Sequence, residues 1–174
     1  MEKILAELAD KQAITELIYT YCRAIDRRDV PLGHSIWHDD GYADYGEQFY
    51  QGSGQGVIDR ICGCHPYLVN PSHQVGNILI ELDGDKAGSE AYVMVSVQME
   101  RDGKILQMDT CARYLDVWER RQGRWGLVRR MVSNDMYTIH EVRHHADFEG
   151  CSIPPADDPS YQVLTRRKWG AGRS

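Results

Sequence analysis

Residues His73 to Tyr137, HQVGNILIELDGDKAGSEAYVMVSVQMERDGKILQMDTCARYLDVWERRQGRWGLVRRMVSNDMY, decide the fold. Apolar and polar residues alternate with a period of two. The alternation is interrupted at Leu82-Asp83-Gly84-Asp85, Arg101-Asp102-Gly103-Lys104 and Arg121-Gln122-Gly123-Arg124. Each interruption places a glycine where a tight turn needs a positive φ, so these are three hairpin turns between four strands. The strands are expected at about His73–Leu82, Lys86–Glu100, Ile105–Arg120 and Trp125–Tyr137. Sequential strands joined by two-residue turns form an antiparallel meander.

Upstream the period changes to that of a helix. Ile14, Leu17, Ile18, Tyr21 and Ile25 are spaced by three, four and seven residues, the apolar stripe of a helix lying on a core. Asp10 is a fair N-cap. Pro31 disfavours helical geometry at Val30, so the helix is expected to end with Asp26 in its last turn. Short helices around Leu32–Trp37 and Val57–Cys62, and short strands at Tyr42–Tyr45 and Gln48–Tyr50, fit the intervening sequence. With helices gathered at the N-terminal end and strands after them, the class is α+β, a curved antiparallel sheet with helices over its concave face. Residues 1–140 read as one domain. Residues 141–174, with Pro154-Pro155 and Asp157-Asp158-Pro159, read as a C-terminal extension that wraps loosely or is partly disordered.

The chain has 174 residues and a formal charge of −6, with Lys and Arg scattered rather than striped, so nucleic acid is not an expected partner. The opening MEKILAELADKQ is not a signal peptide, and no apolar run is long enough to span a bilayer. A cytoplasmic location without membrane association is expected. Five cysteines then read as reduced thiols, with Cys22 and Cys111 as small core residues. Cys62-Gly-Cys64-His65 has zinc-ligating residue types but no second Cys or His pair nearby, and His140, His144 and His145 lack a third ligand at proper spacing. No metal site is expected. No phosphate-binding loop, dinucleotide fingerprint or Gly-x-Ser-x-Gly elbow occurs, so no cofactor is expected either.

Several polar residues stand in apolar company. His73 opens the first long strand, where a core histidine satisfied by backbone groups and a functional one both fit. Asp26 closes the helix against its dipole. Tyr21 belongs to the apolar stripe, and its hydroxyl needs a partner. Arg129 and Arg130 are adjacent in a strand and must face opposite sides, so one points into the covered face and demands an anion: Asp26, Asp44 or a substrate oxygen.

The runs Lys11–Tyr19, Arg23–Asp29 and Ser35–Asp40, with Pro71–Asn77 and the meander, resemble SnoaL-like proteins of the nuclear transport factor 2 superfamily over about residues 5 to 140. The resemblance implies a cone formed by a strongly curved sheet and N-terminal helices around an apolar pocket. In its dehydratase and dehydrochlorinase branch, which includes lindane dehydrochlorinase, scytalone dehydratase and bile acid dehydratase, a histidine matching His73 works with an aspartate matching Asp26. Tyr21 and Arg130 match further catalytic residues of that branch. Tyr45 is expected to contact the substrate, with Trp37 and Tyr50 beside it. The implied activity is a cofactor-independent lyase that expels water, halide or formaldehyde from an apolar aromatic or polycyclic molecule. An isomerase or polyketide-type cyclase, or a non-catalytic module like the small subunit of ring-hydroxylating dioxygenases, is the alternative. Members of the superfamily bury the open sheet face against further copies, so a homodimer or homotrimer is expected.

Overall fold

A computed structural model describes residues 1–63, 69–142 and 158–164. Helix α1 (Glu2–Asp26) begins eight residues before the expected cap, and Asp10 lies inside it. The Asp10 carboxylate instead accepts hydrogen bonds from Arg120 (2.6 Å) and Trp125 Nε1 (2.9 Å), tying the helix to the sheet. Ile14, Ile18, Tyr21 and Ile25 form its buried face, as the spacing predicts.

The end of α1 is set by its own backbone. Arg28 takes a left-handed conformation (φ 55°), its N–H bonds to the Ile25 carbonyl (3.1 Å), and the Asp29 N–H bonds to the Ala24 carbonyl (2.8 Å). This is a Schellman cap with arginine where glycine is usual. Asp29 then caps α2 (Val30–His34) by accepting from the Leu32 N–H at 3.1 Å. Pro31 therefore starts a second helix, where its missing N–H is harmless, rather than pushing Val30 out of helical geometry as expected.

The remaining elements are β1 (Trp37–Asp44), β2 (Gln51–Ser53), α3 (Gly54–Gly63), β3 (Val69–Asp83), β4 (Lys86–Arg101), β5 (Lys104–Arg121), β6 (Arg124–Glu141) and α4 (Ser160–Val163). The strands form one six-stranded sheet in the order β2-β1-β6-β5-β4-β3. The meander is present, and its glycine turns hold Gly84, Gly103 and Gly123 at positive φ. The sheet is mixed rather than wholly antiparallel, because β1 runs parallel to β6. The helices and strands between β1 and β6 supply the long crossover that a parallel pair requires. The sheet is curved and open, and α1 and α3 cover its inner face, the architecture of an α+β cone.

Gly76 and Asn77 break the alternation of β3. The register against β4 shifts between Val75 and Ile78, so His73 and Val75 share the inner face with Ile78, Ile80 and Leu82, while Leu79 turns outward. The two mixed faces of a regular strand thereby become one apolar and one solvated face.

Cys22 is buried, whereas Cys111 lies on the outer face, half-buried opposite Met94. His140 stands in β6, not in a helix, and its exposed imidazole faces Asp109 at 3.8 Å. Cys64, His65, His144, His145 and Pro154-Pro155 lie outside the described residues. The described part of the C-terminal extension is tied down. Asp158 pairs with Arg27 (2.8 Å), the Tyr161 hydroxyl donates to Asp29 Oδ2 (2.8 Å), and the Arg23 guanidinium lies 4.5 Å from the Tyr161 ring centre.

Candidate active site

Asp26 occupies the last helical position of α1, and the Schellman reversal that follows leaves its side chain facing the start of β3. His73, on the inner face of β3, meets it twice. Asp26 Oδ1 lies 2.5 Å from His73 Nδ1, and Oδ2 accepts the His73 backbone N–H at 2.9 Å. Two contacts to one residue fix the carboxylate plane and with it the imidazole. An ionised Asp26 can only accept, so the shared proton belongs to Nδ1, and in the neutral imidazole Nε2 then carries the lone pair. His73 Nε2 has no hydrogen-bond partner among the described residues. Both side chains are about nine-tenths shielded, yet they line a 640 Å³ cleft with Tyr19, Cys22, Arg23 and Leu164. Leu164 brings the C-terminal extension to the cleft.

One turn earlier on α1, Tyr21 is fully buried and its hydroxyl hydrogen-bonds the hydroxyl of Tyr45, which follows β1. Burial pushes both phenols above their ordinary ionisation range, more strongly than the nearby Arg130 charge pulls them down. They are therefore protonated at neutral pH.

Arg130 is the inward member of its pair, as the strand geometry requires, and is wholly buried. Its anion is none of those expected. Asp116, on the neighbouring strand β5, accepts from Arg130 Nε and Nη2, both at 2.7 Å. Burial pushes the Asp116 carboxyl up while the guanidinium pulls against it, and the two-point geometry is that of an ionised pair. The guanidinium lies 4.1 Å from the ring centre of Tyr21 and 3.9 Å from that of Tyr114, in the angle between two nearly perpendicular rings. Nη1 is buried without an acceptor at hydrogen-bonding geometry. Cys22 sits between dyad and ion pair: burial first, then Asp26 and Asp116 against the pull of Arg130, push its thiol up to about 12.

The structure thus brings together Asp26 with His73, and Tyr21 with Tyr45 and Arg130. It does not bring Trp37 or Tyr50 to the cleft. Trp37 is buried in the core, with its ring against the backbone of Gly41 and Gly54, where even a methyl group would collide. Tyr50 covers Gly52 and Gly56 and donates to the Ser53 carbonyl (3.1 Å). Both were expected to bind substrate, and both are instead used to seat α3. Asp116 and Tyr114 were missed. Their signal is parity, since Ala112, Tyr114, Asp116 and Trp118 alternate inward on β5 directly beside Arg130.

Among the described residues no three His, Cys, Asp or Glu side chains are grouped to hold a metal ion, and no helix is long and apolar enough to cross a membrane. The SnoaL-like domain family matches residues 6–131. Solved structures of the same fold include a hexachlorocyclohexane dehydrochlorinase of type 2 (TM-score 0.73, 23% identity, covering 82% of this chain and 96% of that one). A type 3 dehydrochlorinase from Novosphingobium barchaimii is similar at 0.72 and 22%, covering 82% and 97%. A protein provisionally named a scytalone dehydratase, from Novosphingobium aromaticivorans, is similar at 0.68 and 20%, covering 79% and 91%. Identities this low establish the shared fold alone. No curated protein matches the sequence significantly.

Proposed function

The chain belongs to the SnoaL-like domain family, and from that premise we propose that it is a lyase that works without a cofactor on an apolar, cyclic small molecule. The observation that carries this reading is the double contact between Asp26 and His73, which holds the imidazole with a basic Nε2 at the wall of a cleft. A base so placed takes a proton from a substrate carbon, the C–H electrons form a double bond, and the leaving group departs with its bonding pair. Asp26 stabilises the imidazolium that results. A departing hydroxyl needs a proton, which solvent in the open cleft supplies; His73 then returns its own proton to solvent, so water is the only by-product. A halide leaves without that proton. If the base instead takes the O–H proton of a hydroxymethyl group, the O–H electrons form the C=O of formaldehyde, the C–C bond breaks, and the benzylic carbanion left behind, stabilised by the aromatic system, takes up the proton from His73.

The test is a screen of hydroxylated and halogenated aromatic and alicyclic compounds, scored by product mass. Loss of water, halide or formaldehyde, abolished in His73→Ala with an unchanged melting curve, supports the reading. An unchanged mass converts it to an isomerase or cyclase. Full turnover by His73→Ala defeats it.

A further inference from the structure

Two arginines, Arg23 and Arg27, line the same cleft as Asp26 and His73. Arg27 is spent on Asp158, which it meets at 2.8 Å. Arg23 is held differently. Its guanidinium lies 4.5 Å from the centre of the Tyr161 ring, and among the described residues its side chain forms no ion pair and no hydrogen bond. A ring attracts the cation as a whole but offers no oxygen to the five N–H donors of the guanidinium fork. Arg23 is thus a cation fixed in place with its donors unused. Tyr19, Arg23 and Asp26 follow at steps of four and three on α1 and share one face of the helix. Arg23 and Asp26 are separated along the helix axis by about 4.5 Å, so a group bound at Arg23 and a carbon presented to His73 can belong to one small molecule.

We propose that the substrate is a carboxylic acid and that Arg23 binds it: the fork takes the carboxylate, the apolar ring lies against Tyr19, Cys22 and Leu164, and the acidic hydrogen faces His73 Nε2. This rests on the reading above in taking the Asp26–His73 cleft as the active site. A carboxylate is planar and matches the guanidinium fork with two oxygens. It also carries a single charge, which suits a cleft that has one unspent cation. A phosphate would bring a second charge toward Asp26 and Glu16, which line the same cleft. Glu16 itself is bonded by Gln12 at 3.0 Å and stands seven residues before Arg23, nearly two turns away. Asp158 lies near enough to feel the Arg23 charge, but its ion pair is with Arg27. In a cleft otherwise lined by apolar groups and the dyad, one placed cation fixes which end of a ring compound meets the base.

The experiment titrates the full chain with 2-naphthoate and with its neutral amide, 2-naphthamide. Binding is followed by the nitrogen shifts of the His73 imidazole, so that only binding in the cleft is counted. Wild type should bind the acid about tenfold more tightly than the amide, the size expected of a charge-assisted pair at a half-buried cation. Arg23→Gln should abolish that preference by weakening the acid and leaving the amide unmoved. Arg23→Lys, which keeps the charge without the fork, should retain part of it. Equal affinities in wild type, a preference that survives Arg23→Gln, equal weakening of both compounds in that variant, or no binding of the acid at millimolar concentration overturns the proposal. Should Arg23→Gln not fold, Arg23→Lys decides the matter: a reduced preference supports the fork, and an unchanged one overturns it. The titration needs no turnover, so its failure is distinct from that of the lyase reading, which fails separately if His73→Ala keeps full turnover.

Discussion

Replacing Asp26 with asparagine tests the dyad more sharply than deleting it, because the geometry dictates how the amide must lie. The His73 backbone N–H points at Asp26 Oδ2 from 2.9 Å and can only donate. An asparagine there must place its carbonyl oxygen on that N–H, since the opposite orientation would set two donors against each other. The amide NH2 is thereby forced onto His73 Nδ1, where the carboxylate oxygen stood at 2.5 Å. Nδ1 must now accept, the imidazole proton moves to Nε2, and the nitrogen facing the cleft is no longer a base. Replacing the orienting acid of a histidine base by its amide costs about 10⁴-fold in kcat through the wrong tautomer, equivalent to about 5 kcal/mol of barrier. The fold should barely notice, because the side chains keep their shape and both hydrogen bonds survive with one reversed. Turnover in Asp26→Asn should therefore fall by about three to four orders of magnitude, with the melting temperature close to that of wild type. Nitrogen NMR of the labelled imidazole should show the proton on Nε2. A variant retaining more than a small fraction of its activity, or keeping the proton on Nδ1, refutes the reasoning.

Two further predictions concern the surface around the site. The Asp158 carboxyl is held below its ordinary range, first by hydrogen bonds from Ser160 and then, against burial, by Arg27 and Arg23. Its folded pKa is depressed, so its contribution is complete above the ordinary carboxylate pKa and is lost as pH falls through the lower folded value. Amide exchange over Asp158–Leu164 should accordingly be unchanged from neutral pH down to the ordinary carboxylate range and rise only in stronger acid; early loosening near neutral pH contradicts this anchor. The outer sheet face exposes Tyr92, Met94, Met131 and Met136 together, and we expect it to pair copies of the chain. Light scattering should give two or three times the 19.9 kDa chain mass, reduced to one by Tyr92→Asp with Met94→Lys, and a monomeric wild type disproves the pairing.

What could be read in the sequence was what local chemistry decides. The hairpin glycines located the meander, the stripe from Ile14 to Ile25 located the buried face of α1, and adjacency alone showed that one of Arg129 and Arg130 must point inward. The misses share a cause, which is that partners far apart in the chain decided them. Asp10 looked like a cap because nothing local reveals Arg120 and Trp125, more than a hundred residues away. The parallel pairing of β1 with β6 has no local signature, since each strand looks the same beside either neighbour. Trp37 and Tyr50 looked like pocket aromatics, although the nearby Gly52, Gly54 and Gly56 mark where a large ring must pack closely against backbone.

The dyad itself depends on two irregularities that simple periodicity passes over. The first is the Schellman reversal. A glycine at Arg28 would be the easy choice, yet an arginine takes the left-handed position, at a cost of about 1 kcal/mol, and Asp26 is left at the helix end with its carboxylate against the dipole. That arrangement is unfavourable for an isolated helix and becomes favourable only when His73 supplies two donors to the carboxylate. The second is the bulge at Gly76–Asn77. Without it, the parity that puts His73 inward would also turn Leu79 into the core and expose Ile78 and Ile80. The bulge lets His73 face the helix while the rest of β3 keeps its apolar residues covered. Each irregularity costs something locally, and each serves to bring Asp26 and His73 into contact. Restoring regularity to β3 would therefore force a choice between a buried apolar face and an inward His73, and the fold meets both demands only with the extra residue in place.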